Sequence, residues 1–150
     1  MPQSLSSVLV HLVFSTKNRE PFLRPEIETD FYKYTATVLR TLKSPSLAGN
    51  GTADHVHLLL NLSRTISIAD LVKELKIDTS KWIKTNGPNY NGFHWQAGYA
   101  ALSIGQSNVA AAKKYIANQK SHHKGQSFQD EFRELLRRYE IEFDERYVWD

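Results

Sequence analysis

Two histidines one residue apart, His55 and His57, are the side chains best placed to do chemistry together. They lie in Asp54-His55-Val56-His57-Leu58-Leu59-Leu60, a β-branched and aliphatic run with a period-two start, which reads as a strand. In a strand, residues i and i+2 share a face with Cα atoms roughly 6.5–7 Å apart. Both imidazoles can therefore reach one ion, while Val56 points to the opposite face. A helix would splay the pair around its axis. The spacing alone admits two readings: a metal pair, or two half-buried histidines satisfied by neighbours. Cysteine is absent, so any metal must be held by His, Gln, Asp or Glu. A second pair, Tyr115 and Gln119, is four apart and shares one face of a predicted helix. By itself that pair is a packing residue and a surface amide.

The elements that must position these residues follow from hydrophobic periodicity. Val8 to Phe14 is apolar at nearly every position and predicts a central strand buried on both faces, with His11 inside it as a hydrogen-bonded core histidine. Pro25 fits the first turn of a helix, and Ile27, Phe31, Tyr34, Val38, Leu39 and Leu42 form its apolar stripe. Ser44-Pro45 ends it. Ser46 to Gly49 predicts a short strand, and Asn50-Gly51 a tight turn into the His55 strand. Ser67 with Asp70 caps a helix reaching about Lys84, with Ile68, Leu71, Val72, Leu75, Ile77 and Trp82 as its stripe. Phe93 to Gln96 and Tyr99 to Ile104 read as strand material interrupted near Ala97-Gly98; their aromatics either fill the core or stack on unpaired bases. A helix runs from Asn108 to about Ser121. Ser127 with Asp130 caps the last one, whose stripe is Phe128, Phe132, Leu135, Leu136 and Tyr139. Residues 140–150 are expected to be extended.

The chain of 150 residues suits one domain, residues 1–150. It contains no apolar run of the roughly 20 residues that a membrane helix needs. The start lacks a basic-then-apolar leader pattern, and the expected compartment is the cytoplasm. Residues 1–125 carry 15 Lys/Arg against 8 Asp/Glu, a net +7, and residues 126–150 carry 4 against 8, a net −4. The basic body suits a polyanion as well as an ordinary solvated surface. The acidic remainder argues that the whole surface is not a nucleic-acid face.

Taken in order, these segments resemble the single-tyrosine HUH transposases of small insertion sequences and their relatives, the REP-associated tyrosine transposases. The resemblance is carried by His-Leu-Val-Phe-Ser-Thr-Lys at His11 to Lys17 and Asp-His-Val-His-Leu-Leu at Asp54 to Leu59. It continues in Phe-x-Trp-Gln-x-Gly-Tyr at Phe93 to Tyr99, Tyr-Ile-x-Asn-Gln at Tyr115 to Gln119, and the close from Tyr139 to Val148. It implies an α+β fold: an antiparallel sheet with helices packed against it, a ferredoxin-like (RRM-like) HUH core, and a homodimer that joins sheets. It implies Tyr115 as nucleophile and His55, His57 and Gln119 as ligands of a divalent metal, Mg²⁺ or Mn²⁺. It implies single-stranded DNA with hairpins as substrate, cleaved and rejoined through a 5′-phosphotyrosine. Lys17, Arg19, Lys73, Lys76, Lys113 and Lys114 are then candidate DNA contacts.

The chemistry agrees with the residue types. An ion held by two imidazoles and an amide polarises a scissile phosphate, and a tyrosine hydroxyl attacks the phosphorus in line. No phosphate-cradling glycine loop is present, and no nucleotide cofactor is expected. Two rival histidine motifs fail at named positions. His-x-His-x-His meets Leu59, and His-x-His-x-Asp-His meets Leu59 and Leu60. The remaining alternative is a domesticated copy that binds hairpin DNA without cutting it.

Overall fold

β1 (Leu9–Ser15) is buried along all seven residues because it has a strand on each side. The computed structural model describes residues 2–150; Met1, the first residue of the polar lead-in, lies outside the described residues. After β1 come α1 (Pro25–Thr41), β2 (Ser46–Thr52), β3 (His55–Asn61), α2 (Ile68–Lys84) and β4 (Ala100–Ile104). The sheet order is β2-β3-β1-β4 and every pairing is antiparallel. This is an α+β, ferredoxin-like arrangement. The chain continues through α3 (Val109–Ala117), α4 (Gln119–His122) and α5 (Phe128–Arg138). Among the described residues no helix is long and apolar enough to cross a membrane.

Strand alternation divides the core in two. Val10, Leu12 and Phe14 of β1 and Val56, Leu58 and Leu60 of β3 point to one face. There they meet Ile27, Phe31, Val38 and Leu39 of α1 and Leu71, Val72, Leu75 and Ile83 of α2. On the other face Val13, Ala100 and Leu102 meet Phe128, Phe132, Leu135 and Leu136 of α5. The register sets His55 opposite Ser15, His57 opposite Val13 and His11 opposite Leu59, so the three histidines share this second face.

Pro25 begins α1, and the Ser67 hydroxyl accepts from the Asp70 amide at 3.0 Å, as the sequence predicts. Four details differ. The hairpin turn lies at Ala53-Asp54, not at Asn50-Gly51, because β2 continues through Asn50 and Gly51 to pair them with His57 and Val56. Gly51 is required there by proximity: a Cβ would stand 2.1 Å from the His55 carbonyl oxygen and 2.8 Å from the Tyr32 hydroxyl. Ile77 is exposed and Ile83 takes the core position, since α2 turns its stripe toward β1 and β3. The predicted helix of residues 108–121 breaks at Asn118 into α3 and α4. Of the tail expected to be extended, residues 141–144 carry no regular structure and residues 145–149 form turns, with Trp149 packed on Phe132 at 5.7 Å.

The aromatics of residues 93–96 fill the core. Trp95 stands edge-on to Phe14 at 4.8 Å and to Phe93 at 4.7 Å, and its indole N–H donates to Thr79 Oγ1 at 3.0 Å. Gln96 extends the end of β1, its Oε1 accepting from the Ser15 amide at 2.7 Å. Lys76 of α2 then fastens this segment. Its Nζ donates to the carbonyls of Gln96 at 2.7 Å and Gly98 at 2.8 Å and lies over the Phe14 ring at 5.0 Å.

Two substitutions test these supports. Gly51→Ala should lower stability by about 2–3 kcal/mol, since backbone must move to admit the methyl group; an unchanged urea midpoint would show the hairpin has slack. Lys76→Met should cost about 1–3 kcal/mol, because it strips two carbonyls of their donor. A lysine serving DNA alone would leave the urea midpoint where it is.

Candidate active site

The second face of the sheet carries His55 and His57, both fully buried, with His11 beside them. Two consecutive hydrogen-bonding strands fix their backbones, and the outer partners of their rings fix their orientation. His55 Nδ1 lies 2.6 Å from Asp54 Oδ1 and 3.0 Å from Thr52 Oγ1. Burial alone would raise the Asp54 carboxyl, but the hydrogen bonds from His55 and Thr52 outweigh it and hold it below the usual range. An ionised carboxylate only accepts, so His55 carries a proton on Nδ1 and turns Nε2 inward. His57 Nδ1 lies 2.8 Å from His11 Nε2. Burial, then the neighbouring His57, push His11 down to about 3. His11 is therefore neutral, and one of the two facing nitrogens donates to the other.

Tyr115 comes from α3, which is held against β2: the Asn50 amide donates to the carbonyls of Ile116 at 3.0 Å and Ala117 at 3.2 Å. The residue expected at the hairpin turn thus closes the C-terminal end of the tyrosine helix instead. Gln119 opens α4, fully buried despite the break at Asn118. Its Oε1 stands 3.1 Å from His55 Nε2.

Between the histidines and Tyr115 sits Glu131 of α5, 1% exposed. Its Oε1 lies 3.0 Å from His57 Nε2, 2.9 Å from His123 Nε2 and 3.5 Å from His55 Nε2. Its Oε2 accepts from the Tyr115 hydroxyl and, at 3.0 Å, from the Gln119 amide. Burial pushes this carboxyl up, but the hydrogen bonds from His57, Tyr115 and Gln119 prevail and hold it well below the normal range. Burial, then the carboxylate at its hydroxyl, push the Tyr115 phenol far above its usual value.

The structure thus brings His55, His57, Tyr115 and Gln119 of one chain into one cluster. It adds His123 and Glu131, which the sequence reading does not select. Glu131 carries a signal that could have marked it: it interrupts the apolar stripe Phe128, Phe132, Leu135, Leu136 with a carboxylate. The chemistry of the donor set suits a divalent ion. One ligand atom each from His55, His57, His123 and Glu131 lies within 4.8 Å of the others, and imidazole with carboxylate suits Mn²⁺ or later transition ions better than Mg²⁺.

The candidate DNA contacts separate. Lys113 and Lys114 are exposed on α3 beside Tyr115, and Lys17 is exposed just after β1. Arg19 is half-buried with its guanidinium over Trp149 at 5.8 Å. Lys73 and the fastened Lys76 lie on α2, across the sheet from the histidines, at a groove of about 460 Å³ shared with Trp95 and Tyr99.

A ferredoxin-like sheet that presents a His-x-His strand to a tyrosine helix defines the HUH class of single-tyrosine transposases. Residues 4–119 match the family described as "Transposase IS200 like", and the chain belongs to that family. Two solved structures are similar. One is a Deinococcus radiodurans R1 protein described as a candidate transposase, 24% identical, with a TM-score of 0.62 over 79% of this chain and 98% of that one. The other is a REP-associated tyrosine transposase bound to a REP hairpin, 13% identical, with a TM-score of 0.59 over 82% of this chain and 72% of that one. No curated protein matches.

The outer shell is open to a direct test. If this donor set holds Mn²⁺ through His55, Asp54→Ala should raise its dissociation constant by about 10–100-fold, since an unheld ring loses its tautomer and aim. Calorimetric titration of protein stripped with chelator reads this, and an unaltered constant would show that Asp54 plays no part in orienting a ligand.

Proposed function

We propose that this transposase cleaves and rejoins single-stranded DNA through a 5′-phosphotyrosine on Tyr115, beside a divalent ion held by His55, His57 and Gln119. The observation that carries the proposal is the meeting of Tyr115 with the His55–His57 pair around one buried carboxylate within a single chain. A bound divalent ion supplies Lewis-acid polarisation of the scissile phosphate and stabilises its charge in the transition state.

The chain's own groups supply the rest. The Tyr115 oxygen forms a bond to phosphorus as the bond from phosphorus to the 3′ oxygen breaks. The phenolic proton goes to Glu131 Oε2, which already accepts it as a hydrogen bond, and the departing 3′ oxygen takes up a proton from water. A 3′-hydroxyl on a second strand reverses these steps and releases Tyr115. Each step exchanges one phosphodiester for another, so no nucleotide cofactor is required. Lys113 and Lys114, exposed on the tyrosine helix, suit phosphates flanking the cut. Hairpin DNA as the recognised partner is supported by the fold shared with the hairpin-bound relative. The assembly proposed with it is a homodimer joined at a sheet edge. Because Tyr115 already meets its own chain's histidines, neither copy needs its partner's tyrosine helix in this arrangement.

The test uses labelled single-stranded DNA with hairpins, taken from the flanks of the gene, incubated with Mn²⁺ or Mg²⁺ and run on a denaturing gel. A covalent protein–DNA band should form and vanish with EDTA. Tyr115→Phe should abolish the band and cleavage while leaving hairpin binding nearly intact. If that variant still cut at the wild-type rate, another residue would be the nucleophile. Binding without a covalent band, across several flanks and both metals, would point to a hairpin-binding protein that does not cut.

A further inference from the structure

His123 and Glu131 belong to neither the histidine pair nor the tyrosine helix, yet both turn inward on the same point. We infer, on the metal reading proposed above, that they are further ligands of the same ion, and that Glu131 links this ion to the hydroxyl of Tyr115.

Distances support this first. Ligand atoms bound at about 2.0–2.2 Å stand roughly 2.9–3.5 Å apart at neighbouring corners of a coordination shell. Glu131 Oε1 lies 3.0 Å from His57 Nε2, 2.9 Å from His123 Nε2 and 3.5 Å from His55 Nε2. Gln119 Oε1 lies 3.1 Å from His55 Nε2. These separations are those that edges of one shell would have.

Orientation supports it independently. Each imidazole has an outer partner on Nδ1: Asp54 for His55, His11 for His57, and the Gln126 carbonyl at 2.7 Å for His123. A carbonyl only accepts, so His123 also carries a proton on Nδ1. This is the outer-shell pattern of metal-binding histidines. With the Nδ1 positions so used, the Nε2 atoms of all three rings converge on Glu131 Oε1, at 3.5, 3.0 and 2.9 Å for His55, His57 and His123.

Placement supports it a third way. A carboxylate on the apolar stripe of α5 adds nothing to packing against Val13, Ala100 and Leu102, and its burial carries a desolvation cost that a bound cation offsets. The rival is a plain ion pair between a doubly protonated His123 and Glu131, with the metal elsewhere or held by the first three ligands alone.

The experiment uses the full chain stripped with chelator. Mn²⁺ is titrated calorimetrically into wild type, Glu131→Gln and His123→Ala. Zn²⁺-loaded wild type is examined by X-ray absorption at the metal edge. We expect one ion per chain, affinity weakened by about tenfold or more in each variant, and a shell containing three imidazoles. Wild-type affinity in both variants, or a shell with two imidazoles, overturns the inference and leaves the His55–His57 site standing. Failure of wild type to bind either ion overturns the metal reading and the inference together. The absorption measurement needs no variant, so a variant that does not fold leaves the test decisive.

Discussion

A carboxylate buried to 1% exposure must be compensated, and most of the second face of the sheet is arranged around that requirement at Glu131. Transfer of a lone carboxylate from water to an apolar interior costs several kcal/mol even after relaxation. Glu131 offsets this with donors from three separate elements: His57 of β3, the hydroxyl of α3 and the amide of α4. The apolar stripe of α5 supplies the burial area, and the carboxylate dictates the position in which that stripe can dock. Docking of α5 and the state of the site are therefore one equilibrium. Any group that binds among these ligands also stabilises the packing of Phe128 and Phe132.

β3 makes this possible by separating two tasks on one strand. Its Val56, Leu58 and Leu60 complete the core with α1 and α2, while His55 and His57 look the other way. A slip of one residue would put both imidazoles into that core and three aliphatic side chains into the site. The register is pinned on both sides, by seven paired positions with β1 and by the close approach of Gly51 to the His55 carbonyl. Asn50, one residue before, binds the end of the tyrosine helix. The hairpin that fixes the histidines thus also fixes the distance from them to Tyr115.

Most of this frame was legible from periodicity. The continuous apolar run of β1, the stripes of α1 and α5, and the Ser67 and Ser127 caps are local signals with local causes, and they appear where expected. The misplaced turn had a local cause too: Asn50-Gly51 has turn chemistry, but strand pairing and the crowding at Tyr32 overrode it. The site was another matter. Gln119 and His55 are 64 positions apart, and no periodicity reports such a meeting; only the resemblance to a family joined them. His123 was hidden by the break at Asn118, which alters the face that residues after it present. Glu131 was visible as a charge out of place on an apolar stripe, a signal that names burial without naming a partner.

The position of that charge bears on how such a site can rest without reacting. Burial and an adjacent anion both favour the neutral phenol of Tyr115, so its hydroxyl keeps its proton in this arrangement. A cation among the imidazoles would draw on the same carboxylate and weaken its hold on the phenolic proton's favoured state. One side chain would then set both the affinity of the site and the readiness of its nucleophile. A phosphotyrosine link keeps the energy of the broken phosphodiester, so premature attack would be as damaging as none. On the phosphotyrosine reading proposed above, contact between anion, tyrosine and imidazoles would make reactivity conditional on occupancy, with no separate regulatory part.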